Sequence, residues 1–368
     1  MRILAIKLKQ IGDVLLWEPA LRKIKTFLPD AELHVLTNDY AFPVIKNAPY
    51  VDKFFVISKK KNASKLERLR VNLSFIKSLR KYSYDVVLNF SPGDRSHLYS
   101  FLVKAKEKFS YFSPKKEKVQ RRIFSKLYTP PNTHTILQDL WFVDQVFDFK
   151  FTPPKVRLYL NSLDEKRAQN ILKNSEILEE NYVVIHPVAG WFLKCLPVKI
   201  IAGVTDFFVK NGLKVVITSG GAERELRYVK EVFELVKAKK CVINLAGKVS
   251  LEELFWIIKK CRFFFGIDTA PMHIAAALNK PVFAVFGPTG KHNWGPWDND
   301  VEWKSYESPY EQRGSQFFGK HFVYQKDWDC VPCGGKESLC RCNIKQPKCL
   351  YEITLKELIL FLNNYLKK

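Results

Sequence analysis

Two short apolar runs, Arg262–Ile267 (RFFFGI) and Val282–Phe286 (VFAVF), flank a compact stretch of small apolar residues. Neither run is long enough for a buried helix, and neither alternates with polar residues. Each therefore suits a strand buried on both faces, which occurs in parallel sheets covered by helices. The intervening segment starts at Asp268-Thr269, either of which can cap a helix, and has Pro271 in its first turn, where a missing N–H costs nothing. Ile274, Ala275, Ala276 and Ala277 let that helix, 271–278, pack closely on a sheet. Strand, helix and strand thus form a parallel crossover unit. Its two strand ends bring Asp268, Thr269, His273, His292 and the Gly287-Pro288-Thr289-Gly290 turn to one sheet edge. That edge is where open α/β sheets bind ligands, and a free helix N-terminus there attracts phosphate. A capped helix is common in any α/β domain; the clustering of these groups is what points to a nucleotide or sugar-nucleotide site.

The same alternation runs along the chain twice. Strands are expected at Ile3–Leu8, Glu32–Leu36, Lys53–Val56, Asp85–Asn89 and Lys108–Tyr111, then at Tyr182–His186, Leu213–Thr218, Cys241–Asn244 and the two runs above. The Pro-containing stretch Asp148–Leu163 separates the two series and reads as a linker. The expected fold class is α/β, with two doubly wound Rossmann-like domains, 1–160 and 161–350, facing across a cleft. A helix within 351–368 closes the chain. In the first domain, Gly12 and Asp13 follow the opening strand. Val14, Leu15, Ala20, Leu21, Ile24 and Leu28 are spaced for one amphipathic helix beyond them. Asp13 is placed either to serve the helix start or, facing a crevice, to act as a general base. No G-x-G-x-x-G follows the first strand and no G-x-x-x-x-G-K-[ST] occurs, which argues against a dehydrogenase and a P-loop enzyme.

A length of 368 residues with 47% hydrophobic content supplies core for two domains. No apolar run is long enough to span a bilayer and no leader precedes the first strand, so a cytosolic location is expected. Lys and Arg exceed Asp and Glu by 23, and the excess is uneven: residues 1–160 hold 30 basic against 14 acidic, residues 161–368 hold 30 against 23. Lys59, Lys60, Lys61, Lys65, Arg68 and Arg70 form one basic cluster, and Lys115, Lys116, Lys118, Arg121, Arg122 and Lys126 another. Such an excess on one domain suggests an anionic partner: nucleic acid, an anionic membrane or a phosphorylated substrate. No RNA-recognition signature of the RNP1 kind accompanies it, which disfavours nucleic acid.

Two further turns fall at the same edge of the second domain. His186-Pro187-Val188-Ala189-Gly190-Trp191-Phe192-Leu193-Lys194 follows a strand and ends in a cation suited to a diphosphate. Ser219-Gly220-Gly221-Ala222-Glu223 offers a carboxylate, either favouring a helix start or binding a ribose hydroxyl pair.

Taken in order, the segments IGDVLLWEPALRKIK (11–25), DVVLNFSPGDRS (85–96), HTILQDL (134–140), VVIHPVAGWFLKCLP (183–197), VVITSGGAERE (215–225) and INLAGKVSLEEL through GPW (243–297) resemble one family. The chain resembles the ADP-heptose:lipopolysaccharide heptosyltransferases, glycosyltransferase family 9 with the GT-B fold, and most of all their heptosyltransferase III-like branch. The resemblance implies inverting transfer of heptose from ADP-L-glycero-D-manno-heptose to the lipopolysaccharide inner core, with no cofactor and no metal. Asp13 then matches the base and Lys194 the lysine at the donor diphosphate. Asp268, Thr269 and His273 match the donor pattern D-[TS]-x-x-x-H, which Ala270 and Gly12 accompany, and Glu223 matches the acid holding the ribose. The acceptor side is expected to use Lys60, Lys61, Lys65, Arg95, Arg121, Arg122 and His134. The protein is then expected to be peripheral on the cytoplasmic, anionic face of the inner membrane, with no nucleic-acid partner. One departure is that Val188-Ala189-Gly190 supplies no hydroxyl where many members have one, leaving diphosphate contacts there to backbone N–H groups. A GT-B enzyme using another nucleotide sugar, such as a UDP-sugar on a different envelope glycan, is the alternative; a non-catalytic membrane or nucleic-acid binder explains the charge but not Asp13, Lys194 and Asp268.

Five of the eight cysteines, Cys330, Cys333, Cys340, Cys342 and Cys349, fall close together as C-x2-C-x6-C-x-C-x6-C. By spacing alone this pattern fits a zinc knot, and in a cytosolic chain disulfides are disfavoured. Four of the five recur in the family without a catalytic duty, and Cys342 is additional. Cys195, Cys241 and Cys261 are scattered and read as structural.

Overall fold

The computed structural model describes residues 1–58, 65–174, 177, 181–334, 342 and 346–366, with the side chains of 65–72 outside that description. The chain divides into two compact units, Met1–Tyr159 with Lys304–Glu307, and Leu160–Trp303 with Ser308–Lys368.

The first unit runs β1 (Arg2–Ile6), α1 (Ile11–Leu16), α2 (Glu18–Phe27), β2 (Glu32–Asn38), β3 (Lys53–Ile57), α3 (Lys65–Arg80), β4 (Ser83–Asn89), α4 (Asp94–Leu102), β5 (Lys104–Tyr111), α5 (Glu117–Ile123), β6 (Lys126–Tyr128) and α6 (Thr135–Phe147). Its strands lie in the order β3-β2-β1-β4-β5-β6, all parallel, with Ile3 in register with Leu33 and Val86. Strand order therefore reverses between β1 and β4.

The second unit runs α7 (Ser162–Asn174), β7 (Tyr182–His186), α8 (Val198–Lys210), β8 (Lys214–Ile217), α9 (Glu223–Leu235), β9 (Val242–Asn244), α10 (Leu251–Lys260), β10 (Phe263–Ile267), α11 (Ala270–Ala277), β11 (Val282–Val285), α12 (Lys291–Trp294), β12 (Gln316–Phe318), β13 (His321–Tyr324), α13 (Lys348–Tyr351) and α14 (Leu355–Leu366). The order is β12-β13-β11-β10-β7-β8-β9, parallel except for the β12–β13 hairpin. Here the reversal falls between β7 and β10. Both units are thus doubly wound α/β.

The buried strands behave as their composition requires. All five residues of β7 and of β10 are buried, and Phe263, Phe265 and Phe283 pack with Phe208, Phe322 and Tyr365 into the core of the second unit. Helix α14 completes that core with Leu358 and Leu362, both fully buried. It crosses α8 at Gly203, where an added Cβ would lie 2.4 Å from the Leu355 side chain, so the approach needs glycine.

Three features depart from expectation. The single helix expected from Val14 to Leu28 is two, α1 and α2, joined at Trp17. Pro19 has no N–H to give to the Leu15 carbonyl, so the hydrogen-bond ladder is interrupted there although Trp17 keeps helical angles. Strand β6 and the β12–β13 hairpin were not foreseen, because Gln316–Phe318 and His321–Tyr324 show neither alternation nor a long apolar run; Gly319, at φ +55°, turns the hairpin. Among the described residues no helix is long and apolar enough to cross a membrane.

Candidate active site

In the first unit, β1 ends at Ile6 and the chain turns through Lys7–Gln10 into α1. Gln10 is the N-cap without a side-chain cap bond, so Asp13, third in the helix, is the carboxylate nearest its positive end. Gly12 is buried in that first turn and Asp13 is half-buried at the edge. Because α1 follows β1, Asp13 stands at the C-terminal edge of the sheet beside the reversal of strand order. From the other side of the reversal, β4 leads through Ser91, whose hydroxyl accepts from the Leu8 N–H at 2.9 Å, to exposed Arg95 in the first turn of α4.

Two neighbours tie this edge together. Tyr40, 41% exposed, donates its hydroxyl to the Lys9 carbonyl at 3.2 Å and accepts from Asn38 at 3.0 Å. Burial pushes its phenol up in pKa; the Arg95 guanidinium opposes this and the Asp39 and Asp13 carboxylates add to it, so all three charges act on one ring. Beneath lies a buried network: Lys7 is ion-paired with Asp139 of α6, and Tyr111 donates to the other Asp139 oxygen at 2.8 Å. Burial pushes the Asp139 carboxyl up against the pull of Lys7, and Asp13 is close enough to push it further. Burying an ion pair costs more than it returns unless its remaining bonds are met, which Tyr111 does here.

In the second unit, the reversal between β7 and β10 brings together the His186–Lys194 turn after β7 and Asp268-Thr269 after β10. Lys194, at the end of a 3₁₀ turn after β7, sends Nζ to Asp268 Oδ2 at 2.7 Å and to the Asp268 carbonyl at 3.3 Å. Asp268 is 5% exposed, directly after β10. Thr269 is the N-cap of α11 but makes no cap bond; its hydroxyl donates back to the Ile267 carbonyl at 3.3 Å. The N-cap side chain therefore leaves the α11 N-terminus open, with half-buried Ala270 in its first turn and buried His273 one turn further along. A cation and an open helix N-terminus at one strand end form a site for an anion such as a diphosphate. The adjoining loop after β11 is held by Gln325, which donates to the Gly287 and Thr289 carbonyls, and the buried Thr289 hydroxyl has no partner among the described residues. His186 at the end of β7 pairs with the Thr218 hydroxyl at 2.9 Å, and burial pushes its imidazole down to about 4.

Other expected residues are dispersed. Glu223 opens α9 but is exposed and paired with Arg227 at 2.9 Å. Two positions on, Glu225 is half-buried against the Gly220-Gly221 turn; burial pushes its carboxyl up while the Gly220 N–H opposes that. His292 is turned to the Tyr310 carbonyl at 2.7 Å rather than to the edge. Gly12 lies with Asp13 in the first unit, not among the donor residues of the second. His134 is fully buried, and its Nδ1 accepts the Ile136 N–H at 3.3 Å as N-cap of α6, so its ring serves that helix rather than a surface. Arg121 and Arg122 are exposed on α5, with Arg121 paired to Glu117. Lys60 and Lys61 lie outside the described residues, as do Lys59 and the side chain of Lys65, which begins α3. Cys340 also lies outside them. Cys349 is buried in the core with Cys330 against it, Cys333 is buried, and among the described residues no three His, Cys, Asp or Glu are grouped to hold a metal.

Sequence reading missed Lys7, Tyr40, Asp139 and Glu225. Lys7 carried a signal, a lysine ending an otherwise apolar strand; Tyr40 and Asp139 carried none, since only the fold brings them to β1.

Comparison with known proteins bears on the chain as a whole. The family model for glycosyltransferase family 9 (heptosyltransferase) matches residues 72–316, about two thirds of the chain. Lipopolysaccharide heptosyltransferase 3 of Escherichia coli K12 is 28% identical over 291 residues, covering 79% of this chain and 83% of that protein. A glycosyltransferase family 9 structure from Veillonella parvula superposes with a TM-score of 0.79 at 19% identity, over 99% of this chain and 97% of that one. An E. coli heptosyltransferase solved with ADP-2-deoxy-2-fluoro heptose gives 0.68 at 16% identity, over 99% of each chain. Two Rossmann-like units of GT-B type and a family match across both of them lead to one conclusion: the chain belongs to glycosyltransferase family 9, the heptosyltransferases.

Proposed function

We propose that this enzyme transfers heptose from ADP-L-glycero-D-manno-heptose to the inner core of lipopolysaccharide with inversion at the anomeric carbon. In the proposed step, the Asp13 carboxylate takes the proton of an acceptor hydroxyl as that oxygen bonds to the anomeric carbon. The bond from that carbon to the β-phosphate oxygen breaks, and ADP leaves with the electron pair. Lys194 and the N–H groups opening α11 offset the charge that grows on the departing phosphate, which gives them the electrostatic task a metal performs in other transferases.

The observation that carries this reading is the Lys194–Asp268 pair beside an open helix N-terminus at a reversal of strand order. Asp268 holds the ammonium where an incoming diphosphate would meet it, and Thr269 and His273 line the same helix. The relatives named above add support: one is a lipopolysaccharide heptosyltransferase and another was solved with an ADP-sugar analogue. Glu223 is assigned to the ribose, and the basic first unit, with Arg95, Arg121 and Arg122, to a phosphorylated acceptor on an anionic membrane surface at the cytoplasmic face.

The test is turnover with ADP-heptose and with UDP-sugars on a heptosylated inner-core acceptor, in chelator, with the product linkage read by NMR. The expected result is transfer from ADP-heptose alone, undiminished by chelator and of inverted configuration. Preferential turnover of a UDP-sugar would instead support a GT-B transferase acting on a different glycan.

A further inference from the structure

Helices α4 and α5 of the first unit lie side by side. Lys116 Nζ meets Asp94 at 2.7 Å, Gln120 Nε2 lies 3.3 Å from His97 Nε2, and the His97 ring packs edge-on against Phe124 at 5.5 Å. Helix α4 turns Ser96, His97, Tyr99 and Ser100 inward. It leaves Arg95, Leu98 and Phe101 outward, three apart and so on one stripe. Leu98 is 51% exposed, Phe101 63% and Val119 on α5 48%. Exposed Lys115, Lys118, Arg121 and Arg122 accompany them. Residues 94–126 hold ten Lys and Arg against three Asp and Glu, and two of those acids, Asp94 and Glu117, are already paired with Lys116 and Arg121. Beside α5 is a hollow of about 500 Å³ whose lining includes apolar Phe112, Phe124 and Leu127 and cationic Arg121 and Lys126.

Singly, an exposed leucine or a basic helix is ordinary surface. Together they separate two kinds of partner. Interfaces between proteins are depleted in lysine relative to the remaining surface, whereas exposed apolar side chains ringed by lysines and arginines suit the boundary of an anionic bilayer. We propose that the α4–α5 ridge docks the enzyme on an anionic phospholipid bilayer. Leu98, Phe101 and Val119 enter the boundary between headgroups and acyl chains while the surrounding cations meet lipid phosphates, with the hollow beside α5 receiving a headgroup. The proposal deepens the membrane association proposed above and rests on it. It also gives the stripe a direction: its first member, Arg95, opens α4 after β4, at the same C-terminal sheet edge where Asp13 opens α1 after the adjacent β1, so docking brings a lipid-borne acceptor towards the proposed base.

The test compares the wild-type protein with a Leu98→Ser/Phe101→Ser double variant on vesicles of phosphatidylglycerol and phosphatidylcholine. Both positions are exposed, so the thermal midpoint should be unchanged. Binding should weaken about tenfold or more, since each side chain loses apolar burial, and the part of wild-type binding that survives high salt should disappear. The emission that a Phe101→Trp variant adds to that of the wild type, which carries eight tryptophans, should shift to the blue on vesicles and stay in place with inorganic phosphate. Transfer to a delipidated, soluble acceptor should be the same in the double variant and the wild type; absence of transfer in both, with vesicle binding intact, would remove the heptose reading and leave docking standing. Equal vesicle binding by the double variant, or a difference emission between the Phe101→Trp variant and the wild type that vesicles do not shift, would overturn the docking surface. So would a concentration-dependent dimer that the serines abolish, which would give this face to a second copy of the chain.

Discussion

At the scale of single residues, the groups that matter are charged or polar side chains held at strand ends by the turns that follow. His186 illustrates how burial there becomes a pH dependence. In the unfolded chain a histidine takes its proton near pH 6.5, whereas folded His186 does so only near 4. Below 6.5 the unfolded state binds more protons, so stability is complete above that pH, falls as the pH drops towards 4 and then levels off. A shift of this size corresponds to about 3 kcal/mol of lost stability. Urea unfolding at a series of pH values should show the decline, and His186→Gln should remove its share of the slope. An identical slope in the variant would mean that His186 is protonated as readily folded as unfolded.

At the scale of elements, the second unit depends on α14 covering the face formed by α8 and β10. Leu362 is fully buried in that contact while Leu360, two residues earlier, is 61% exposed. Leu362→Ala should cost about 2–5 kcal/mol and lower the denaturation midpoint accordingly, and Leu360→Ser should stay within about 0.5 kcal/mol. Equal midpoints would mean that α14 does not belong to this core. The elements legible in the sequence were those whose physics is local. β10 and β7 announce themselves by short apolar runs, Asp268-Thr269 marks the start of α11, and the Ser250–Glu253 capping box that opens α10 is likewise a local pattern. Pro19 was visible too, yet the apolar spacing across it outweighed the break it imposes. The β12–β13 hairpin was not legible because β13 joins β11 only after a long excursion, and nothing in HFVY records that pairing. The same holds for the site. Asp13, Lys194 and Asp268 follow strands, so their places at the sheet edges were readable; Tyr40 and Asp139 reach β1 only through the fold, and the difference between exposed Glu223 and half-buried Glu225 depends on how α9 meets the Gly220 turn.

At the scale of the molecule, charge is divided unequally between the two halves of the chain, with the larger excess in residues 1–160. Lys59, Lys60, Lys61 and Lys65 belong to that excess. Each basic residue near an anionic surface contributes about 1 kcal/mol, so neutralising all four should cut vesicle binding by roughly a hundredfold or more and make the remainder less sensitive to salt. Donor affinity, read by calorimetry, should be unchanged. A quadruple variant that binds vesicles as well as the wild type would reduce this cluster to solvated surface.

The same division, acceptor chemistry in the first unit and donor binding in the second, is tested most directly by measuring turnover and ADP affinity side by side in Asp13→Asn and Lys194→Ala. Asp13→Asn should lower kcat by about 10²–10⁴ with ADP and ADP-heptose affinity intact, because a general base acts only on the acceptor hydroxyl. Lys194→Ala should weaken ADP and ADP-heptose together by about tenfold to a hundredfold, the loss of a charge-assisted bond to phosphate. Normal turnover by Asp13→Asn, or unchanged ADP affinity in Lys194→Ala, would contradict the assignment of base and donor lysine.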